Sequence, residues 1–462
     1  MAGAAPAGAQ PGGTGGPAGR GADPAAAQPG LTHAPAAGSS SRGTGGWGGK
    51  TFGSLHTRNY RLFATGQVVS NTGSWMQRVA QDWLILSLTH NSGTALGITT
   101  ALQFAPMLFS MWGGALADRY SKRGILMVTQ ALMGGLALIL GVLALTGTVQ
   151  IWHVYVLAFA LGMVTVVDNP TRQAFAVEMV GKDDMANAIA LNSAVFNLAR
   201  IAGPAVAGLV IAVAGTPAAF LVNAASYGAV LIGLKLMRPA ELHQAARAPR
   251  ARGQLREALV YVRERPRLWM TLILIFFVST FGMNFQVTTA LMSKGVFHTG
   301  AGEFGFASAV FAVGALGGAL LAARRSRPTL SLLVATSFAF GICEIISGFM
   351  PDFLAFLIVL VPTGLTLLTL TTSANSTMQL GTTAAMRGRV MGLYMLVFLG
   401  GTPLGAPLCG WVAELFGPRT SIVAGGVISV IATVVVGLLL TRRRGVPARS
   451  LLRPAQLARL VA

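Results

Sequence analysis

The sequence predicts an all-α integral membrane protein in which twelve transmembrane helices form two pseudo-symmetric six-helix bundles. Of its 462 residues, 53% are hydrophobic and only 10% are charged, whereas soluble domains carry about 25% charged residues. The apolar residues form runs of about 20, the length that crosses a ~30 Å hydrocarbon core. Lysine and arginine gather on the loops of one side, as is typical of a multi-pass membrane protein.

The twelve spans follow from cutting the apolar sequence at its charges, glycines and prolines. Their expected ranges are 60–88, 94–117, 124–147, 151–173, 187–213, 217–237, 268–291, 301–323, 329–350, 353–377, 389–414 and 419–441. Segments 196–215 and 398–417 share one phenylalanine and three glycines at an offset of 202, as expected of two parallel repeats.

The basic residues orient these spans. Under this division, 30 of the 34 lysines and arginines lie in the tails and in the loops of one side. The other side carries only Lys294 and Arg419, while Arg78 and Arg200 fall within spans. Because positive residues are retained on the cytoplasmic side, we expect both termini in the cytoplasm.

The chain divides into five regions where its composition changes. We expect a disordered Ala/Gly/Pro-rich cytoplasmic tail at 1–55, an N-terminal bundle at 56–237, a cytoplasmic linker at 238–267, a C-terminal bundle at 268–441 and a basic cytoplasmic tail at 442–462.

The linker contains one amphipathic segment, in which Leu255, Ala258, Leu259 and Val262 recur at helical spacing. Two interpretations stay open. The helix lies along the inner membrane surface, or it is a solvated helix packed on the bundle.

The polar residues argue against several other classes of protein. The net charge is +20, but the basic residues punctuate apolar runs, so we expect no nucleic-acid partner. The six histidines and two cysteines are scattered without ligand spacing. We therefore expect no metal, no cofactor, no catalytic residues and no enzymatic activity.

The loop after the second span carries the clearest motif, within WGGALADRYSKRGIL at 112–126. It resembles the loop signature of the major facilitator superfamily at Gly114, Leu116, Asp118, Arg119, Lys122 and Arg123, with Ser121 where the family usually has glycine. The resemblance implies that Asp118 lies near the start of helix eleven and near Arg172. Our hypothesis is that these contacts close a cytoplasmic gate. Asp168 either belongs to this network or caps a broken helix end.

Three further stretches resemble one branch of that superfamily, the bacterial exporters related to the enterobactin exporter and to macrolide efflux proteins. They are NTGSWMQRVAQDWLIL at 71–86, DNPTRQAF at 168–175 and NSAVFNLARIAGPAVAG at 192–208. The resemblance implies an efflux transporter of the multidrug-resistance kind in the bacterial inner (plasma) membrane. It also implies the proton motive force as the energy source and protons as the coupling ion.

The fifth span carries GPAVAG at 203–208, which partly matches the antiporter signature of the superfamily. Gly203, Pro204 and Gly208 match it, and Ala207 replaces a glycine. In the family this segment implies export. The alternative is ordinary close packing of helices through small residues.

Charged residues within the spans are costly and therefore point to function. Asp82 and Glu344 are the candidates for reversible protonation, and Arg78 or Arg200 is expected to tune a carboxylate nearby. Arg78 and Asp82 are four residues apart and could pair on one face, while Asn197 and Arg200 share one face of helix five. The alternative is a static ion-pair network that holds the helices together.

The sequence thus predicts a monomeric, proton-coupled exporter of small amphipathic molecules such as drugs, siderophores or secreted metabolites. Its partners are the small-molecule substrate and the lipid bilayer. Two alternatives stay open: an importer of a small nutrient or metabolite on the same fold, and a membrane protein that does not transport.

Overall fold

The computed structural model describes residues 53–109, 116, 119–181, 184–243, 254–324 and 329–443. The predicted tails at 1–55 and 442–462 therefore lie almost entirely outside the described residues. Within the described ranges, every predicted span is helical.

The twelve membrane helices are labelled α1 to α12 in chain order. They are α1 Arg58–Leu88, α2 Gly93–Phe109, α3 Lys122–Leu145, α4 Ile151–Val180, α5 185–214, α6 216–236, α7 Pro266–Val296, α8 Ala301–Ala323, α9 Leu330–Gly348, α10 Phe353–Leu380, α11 Ala384–Phe416 and α12 Pro418–Arg443. The side on which α1 begins is called the tail side, and the side of the α1–α2 turn at 89–92 is called the far side.

Most of these helices are apolar enough to cross a membrane by length and composition alone. Nine described helices meet that condition, and one of them, Asn187–Leu236, contains both α5 and α6. The segment bends at Gly215, where φ is 77° and ψ is 170°, a backbone region that favours glycine. The nine helices therefore contain ten of the twelve membrane helices. The other two are the shorter α2 and the more polar α1, whose polar residues line the cavity described below.

Within the described residues, three helix boundaries differ by five or more residues from those the sequence predicts: the end of α4, the start of α11 and the end of α7, which lies at Val296 and not at 291. α4 continues to Val180 with Pro170 inside it, so the predicted end at 173 is seven residues early. α11 begins at Ala384, five residues before the predicted start. The extensions of α4 and α11 carry the helix beyond the apolar run by which the span was recognised, because a helix does not have to end where the hydrocarbon does.

The two six-helix bundles meet along two seams, α2 against α11 and α5 against α8. Small residues line both seams. A Cβ on Gly97 would overlap the carbonyl oxygen of Ala406, and one on Gly305 would overlap that of Pro204. Glycine therefore lets the backbones of the two bundles touch, as in other close helix pairs in membranes.

The amphipathic segment of the linker is a helix over Gln254–Arg263, here called the linker helix. Ala258 and Val262 are fully buried in the apolar core of the C-terminal bundle. The Thr383 backbone N–H donates to Tyr261 Oη at 3.2 Å, which lowers the pKa of this phenol. These contacts favour the helix packed on the bundle over one held by the membrane surface alone.

Candidate functional site

A cavity of about 520 Å³ opens within the N-terminal bundle. Its lining comes from α1, α2, α3, α4, α5 and α6, with Leu399 of α11 as the contribution of the C-terminal bundle. Ser193 and Phe196, on the tail half of α5, belong to the lining and are exposed. The exposed part of the lining therefore lies on the tail half of the molecule. Its volume falls within the range of small-molecule sites, about 300–1,000 Å³.

Polar side chains cover much of the cavity wall. The amides in the lining are Asn71, Gln77, Gln81, Gln103, Asn169, Gln173, Asn192, Asn197 and Asn223. Two cavity residues join across the wall, where Asn223 Nδ2 donates to Gln77 Oε1 at 2.5 Å. The lining combines these amides with aromatic rings, the composition that holds an amphipathic molecule.

Two arginines flank Trp75 of this wall; Arg78 belongs to the cavity lining and Arg200 lies next to it. The guanidinium carbon of Arg78 lies 4.7 Å from the ring centre of Trp75, and that of Arg200 lies 5.9 Å from it. Arg78 also lies over Phe104, at 5.3 Å, and Arg200 over Phe311, at 6.0 Å. Such cation–π contacts stabilise a guanidinium where water is scarce.

Arg78 and Asp82, whose spacing allows a pair, do not form an ion pair within 4 Å, although the two charges still interact at a longer distance. Arg78 points to the aromatic rings instead. Asp82 is buried, 5% exposed, and its Oδ2 accepts a hydrogen bond from Gln286 Nε2 at 2.9 Å. Because Gln286 belongs to α7, Asp82 joins the two bundles on the far half of the molecule.

Asp168 forms a buried ion pair inside the N-terminal bundle. It is fully buried and pairs with Arg172 one turn later on α4. Its Oδ1 also accepts from Thr129 Oγ1 at 2.8 Å and from Gln130 Nε2 at 2.9 Å. Asp168 lies mid-helix, so the expectation that it caps a broken helix end is wrong, and it ties α4 to α3.

Arg172 makes further contacts with α1, which the sequence did not predict. Its Nη1 donates to Gln67 Oε1 at 2.7 Å and to Asn71 Oδ1 at 3.1 Å. The pair of Arg172 and Asp168 therefore joins α1, α3 and α4 beside the cavity.

Glu344 of α9 is buried in the C-terminal bundle, 3% exposed. Its Oε2 has no hydrogen-bond partner, and neither does the Oγ of Ser429 on α12. A Cβ on Gly282 would stand 2.9 Å from each of these two atoms. Gly282, Glu344 and Ser429 thus bring α7, α9 and α12 close together, apart from the cavity lining.

The far side is closed by contacts between the bundles. Glu414 Oε2 on α11 accepts from Ser92 Oγ at 2.8 Å and from the Thr94 backbone N–H at 3.0 Å, at the start of α2. Lys294 Nζ on α7 donates to Ser87 Oγ at 3.0 Å. We call these contacts, with Asp82 and Gln286, the far-side latch. All hydrogen bonds recorded between described residues of the two bundles belong to it.

The antiporter-like motif of α5 faces two neighbours. A Cβ on Gly203 would overlap Trp75 of α1, and a Cβ on Gly208 would stand 2.8 Å from the Gly302 carbonyl oxygen of α8. Pro204 contributes the carbonyl that meets Gly305. The motif therefore packs α5 closely against both α1 and α8. Asn197 lies nearby on α5 and donates from Nδ2 to the Ser193 carbonyl at 2.8 Å.

The loop motif is described only in part, because Gly114 and Asp118 lie outside the described residues. Leu116 and Arg119 are exposed. Lys122 pairs with Glu178 of α4, and Arg123 Nε donates to the Leu234 carbonyl of α6 at 2.8 Å. The basic part of the motif thus binds α3 to α4 and α6.

Sequence reasoning missed the partners that come from distant helices, above all Gln286 and Glu414. Neither shows a local signal, because a contact between bundles depends on which helices face each other. The contact between Arg78 and Trp75 could have been predicted, because Trp75 precedes Arg78 by three residues and residues three apart lie on the same helix face. Within the described residues, no group of three or more His, Cys, Asp and Glu side chains is arranged to hold a metal ion.

Twelve membrane helices in two bundles, with a polar cavity whose exposed lining lies on one side and a closed opposite side, define a secondary transporter. The chain belongs to the major facilitator superfamily, in the family described as "Transmembrane secretion effector", whose profile matches residues 49–451.

Curated relatives are efflux proteins and siderophore transporters. The chain is 28% identical over 391 residues to the multidrug efflux pump Tap of Mycobacterium tuberculosis, covering 79% of this chain and 88% of that protein. It is 24% identical over 387 residues to the enterobactin exporter EntS of Citrobacter koseri, covering 82% and 90%. A staphyloferrin A transporter of Staphylococcus aureus is 32% identical over 179 residues, which span 38% of this chain and 45% of that protein.

Solved structures share the fold at low sequence identity. A bacterial homologue of the human lysosomal transporter Spinster superposes with a TM-score of 0.67 at 15% identity, covering 83% of this chain and 96% of that one. The nucleoside transporter NupG gives a TM-score of 0.62 at 12% identity, covering 82% and 98%.

Proposed function

We propose that this protein is a proton-coupled exporter of small amphipathic molecules, acting as a monomer in the bacterial inner membrane. Two relatives, a multidrug efflux pump and an enterobactin exporter, support the direction of transport. The observation that carries the proposal is a cavity whose exposed lining lies on the tail half while the far side is latched.

The orientation rests on the basic residues. The tail side carries 30 of the 34 lysines and arginines, and the positive-inside rule assigns such a side to the cytoplasm. The cavity then faces the cytoplasm, with both termini on that same side. A site that loads from the cytoplasm is the starting state of an exporter.

Transport follows from rocking the two bundles about the cavity. Opening to the outside requires the far-side latch to break and the backbones at Gly97 and Gly208 to separate. The tail side must close in the same step. Our hypothesis remains that Asp118 contributes to that closure at the start of α11.

The start of α11 already has one described partner. Arg389 pairs with Glu257 of the linker helix. The linker helix is thereby tied to the end of α11 where the gate would form, so movement of α11 would move the linker helix with it.

Proton coupling is assigned to Asp82 and Glu344. Both carboxyl groups are buried, and neither forms an ion pair with a described residue. This arrangement favours Asp82 and Glu344 as groups that gain and lose a proton. The alternative, a static ion-pair network, fits Asp168 and Arg172 better. Asp82 lies in the far-side latch, so a change in its protonation would act on the contact between the bundles.

The direct test compares small molecules retained by bacteria with and without the protein, with a protonophore as control. We expect at least one compound to be retained when the protein is absent, and equally when the protonophore is added to cells that have it. A compound that instead accumulates only in cells containing the protein would indicate an importer. No difference between the cells for any compound would contradict transport.

A further inference from the structure

We propose that the cavity binds an amphipathic organic anion, one that carries a carboxylate beside a planar ring. Arg78 and Arg200 bind the carboxylate, and the rings of Trp75 and Phe196 contact the apolar part. The inference rests on the proposed function, because it names the substrate class of that same cavity.

The charge of the cavity wall is the first argument. Arg78 and Arg200 flank the same tryptophan ring, and no described carboxylate lies within ion-pair distance of either guanidinium. The carboxylate in the described lining is Asp168, which Arg172, Thr129 and Gln130 already satisfy.

Asp82 does not neutralise these cations by direct contact either. Its carboxylate binds Gln286 of the opposite bundle and is not part of the cavity lining. The described lining therefore contains one cation without a bound counter-charge, Arg78, and Arg200 lies next to the lining on the same Trp75 ring. Like charges within a membrane are unfavourable, and an anion bound at Arg78 would reduce that repulsion.

The chemistry of guanidinium groups narrows the ligand further. An arginine presents a planar fork of N–H donors that matches the two oxygens of a carboxylate. No hydrogen bond is recorded from the Arg78 or Arg200 guanidinium to a described residue, and both side chains are only partly buried. The donors of Arg78 are thus available on the cavity side and those of Arg200 lie beside the same tryptophan ring, whereas a cationic ligand would be repelled.

The aromatic side chains of the cavity explain why the proposed ligand carries a planar apolar ring beside its carboxylate. Phe196 is 47% exposed although it lines the cavity, and it packs edge-on against Trp75 at 5.8 Å between ring centres. A planar substrate ring beside Phe196 would cover this apolar surface while its carboxylate reaches the two arginines.

The test measures binding of three probes that share one ring. The full-length protein in lipid nanodiscs is titrated with 2-naphthylacetate, with neutral 2-naphthylacetamide and with the cation 2-(naphthalen-2-yl)ethylammonium, by calorimetry. We expect the anion to bind at least about tenfold more tightly than the other two, since a charged hydrogen-bond pair gives roughly this factor.

Variants of Arg78 and Arg200 then test whether these two residues cause the preference for the anionic probe. Arg78→Gln and Arg200→Gln should each weaken binding of the anion about tenfold and leave the amide unchanged, while Arg78→Lys and Arg200→Lys should retain part of the preference. Arg263→Gln, on the exposed face of the linker helix, is the matched control and should bind as the wild type does. If a glutamine variant fails to fold, the lysine variants and the ranking of probes on the wild type decide the question.

Equal binding of the three probes, or preference for the cation, would overturn the inference. So would an unchanged affinity for the anion in both glutamine variants. The outcome is separable from the proposed function: energised export of a neutral or cationic compound leaves the exporter proposal intact, whereas anion binding without export contradicts only the exporter proposal.

Discussion

Four ionisable residues were singled out from the sequence as intramembrane charges, and they fall into three different environments. Arg78 and Arg200 rest on aromatic rings, Asp82 binds an amide of the other bundle, and Glu344 keeps an oxygen without a partner. Sequence reasoning located them because charge is rare in apolar spans. It allowed a pair between Arg78 and Asp82 that does not form at ion-pair distance, because helical spacing permits a contact without requiring it and the Arg78 guanidinium lies over Trp75.

If the substrate is an anion, Asp82 and Glu344 are expected to have different roles in proton coupling. A bound anion near Arg78 favours the protonated form of the nearby Asp82, because two negative charges repel. An antiporter needs the opposite response, release of the proton when the substrate binds. Glu344 lies in the other bundle, outside the cavity lining, and is free of this conflict.

Glu344→Gln is therefore expected to abolish proton-driven export, whereas Asp82→Asn should keep a measurable part of it. The measurement is proton flux, followed with a trapped pH dye in proteoliposomes when the exported compound is added. The variant Gly135→Ala is the control, since a Cβ there meets no atom within 4 Å. Full coupling in both carboxyl variants would contradict the assignment.

Asp168→Ala should destabilise the protein strongly. The fully buried carboxylate holds Arg172, Thr129 and Gln130, and removing one partner of such an ion pair costs about 3–5 kcal/mol. Thermal unfolding of the purified protein measures the loss. The double variant with Arg172→Gln should lose less than the sum of the single changes, and simple additivity would show that the pair is not coupled.

At the scale of helices, apolar runs predicted all twelve spans, and the break between α5 and α6 was expected where Gly215 bends the chain. The end of α4 and the start of α11 were placed wrongly, because helix continues past the apolar run on the tail side. The linker helix was predicted with two possible locations, and the burial of Val262 favours packing on the C-terminal bundle.

The seam between α2 and α11 should control which side of the transporter is open. In Gly97→Ala the added methyl group meets the Ala406 carbonyl, which disfavours the tail-open state by ~1–3 kcal/mol. Labelling of a cysteine at Ser193 from the cytoplasmic side should then slow by about tenfold, since 1.4 kcal/mol is one factor of ten.

Gly135→Ala, also within a helix of the N-terminal bundle, serves as the control and should leave the labelling rate unchanged. An unchanged rate in Gly97→Ala as well would mean that the seam does not hold the far side closed.

At the scale of the whole molecule, composition and the one-sided placement of basic residues were enough to predict a twelve-helix membrane protein in two bundles. They were not enough to predict the contacts between the bundles. Glu414 with Ser92, and Gln286 with Asp82, join residues more than 200 positions apart, and one sequence contains no local pattern for such a pair. The loop motif identified the superfamily, although its Asp118 lies outside the described residues.

The proposed orientation predicts which loops face the cytoplasm. With Cys343 and Cys409 replaced by alanine, a cysteine at Thr148 on the far side should react with a membrane-impermeant maleimide in intact cells. A cysteine at Arg238 on the tail side should react only after the membrane is opened. Both positions are exposed in the structure, so the opposite pattern would reverse the orientation.

The central claim, an exporter loaded from its basic side, is tested most directly by transport into everted membrane vesicles. The substrate is the compound identified by the comparison of cells, and the vesicles are energised by a proton gradient. The account predicts uptake that stops with a protonophore and is absent with Glu344→Gln. Equal uptake without energy, or accumulation only in right-side-out vesicles, would contradict it.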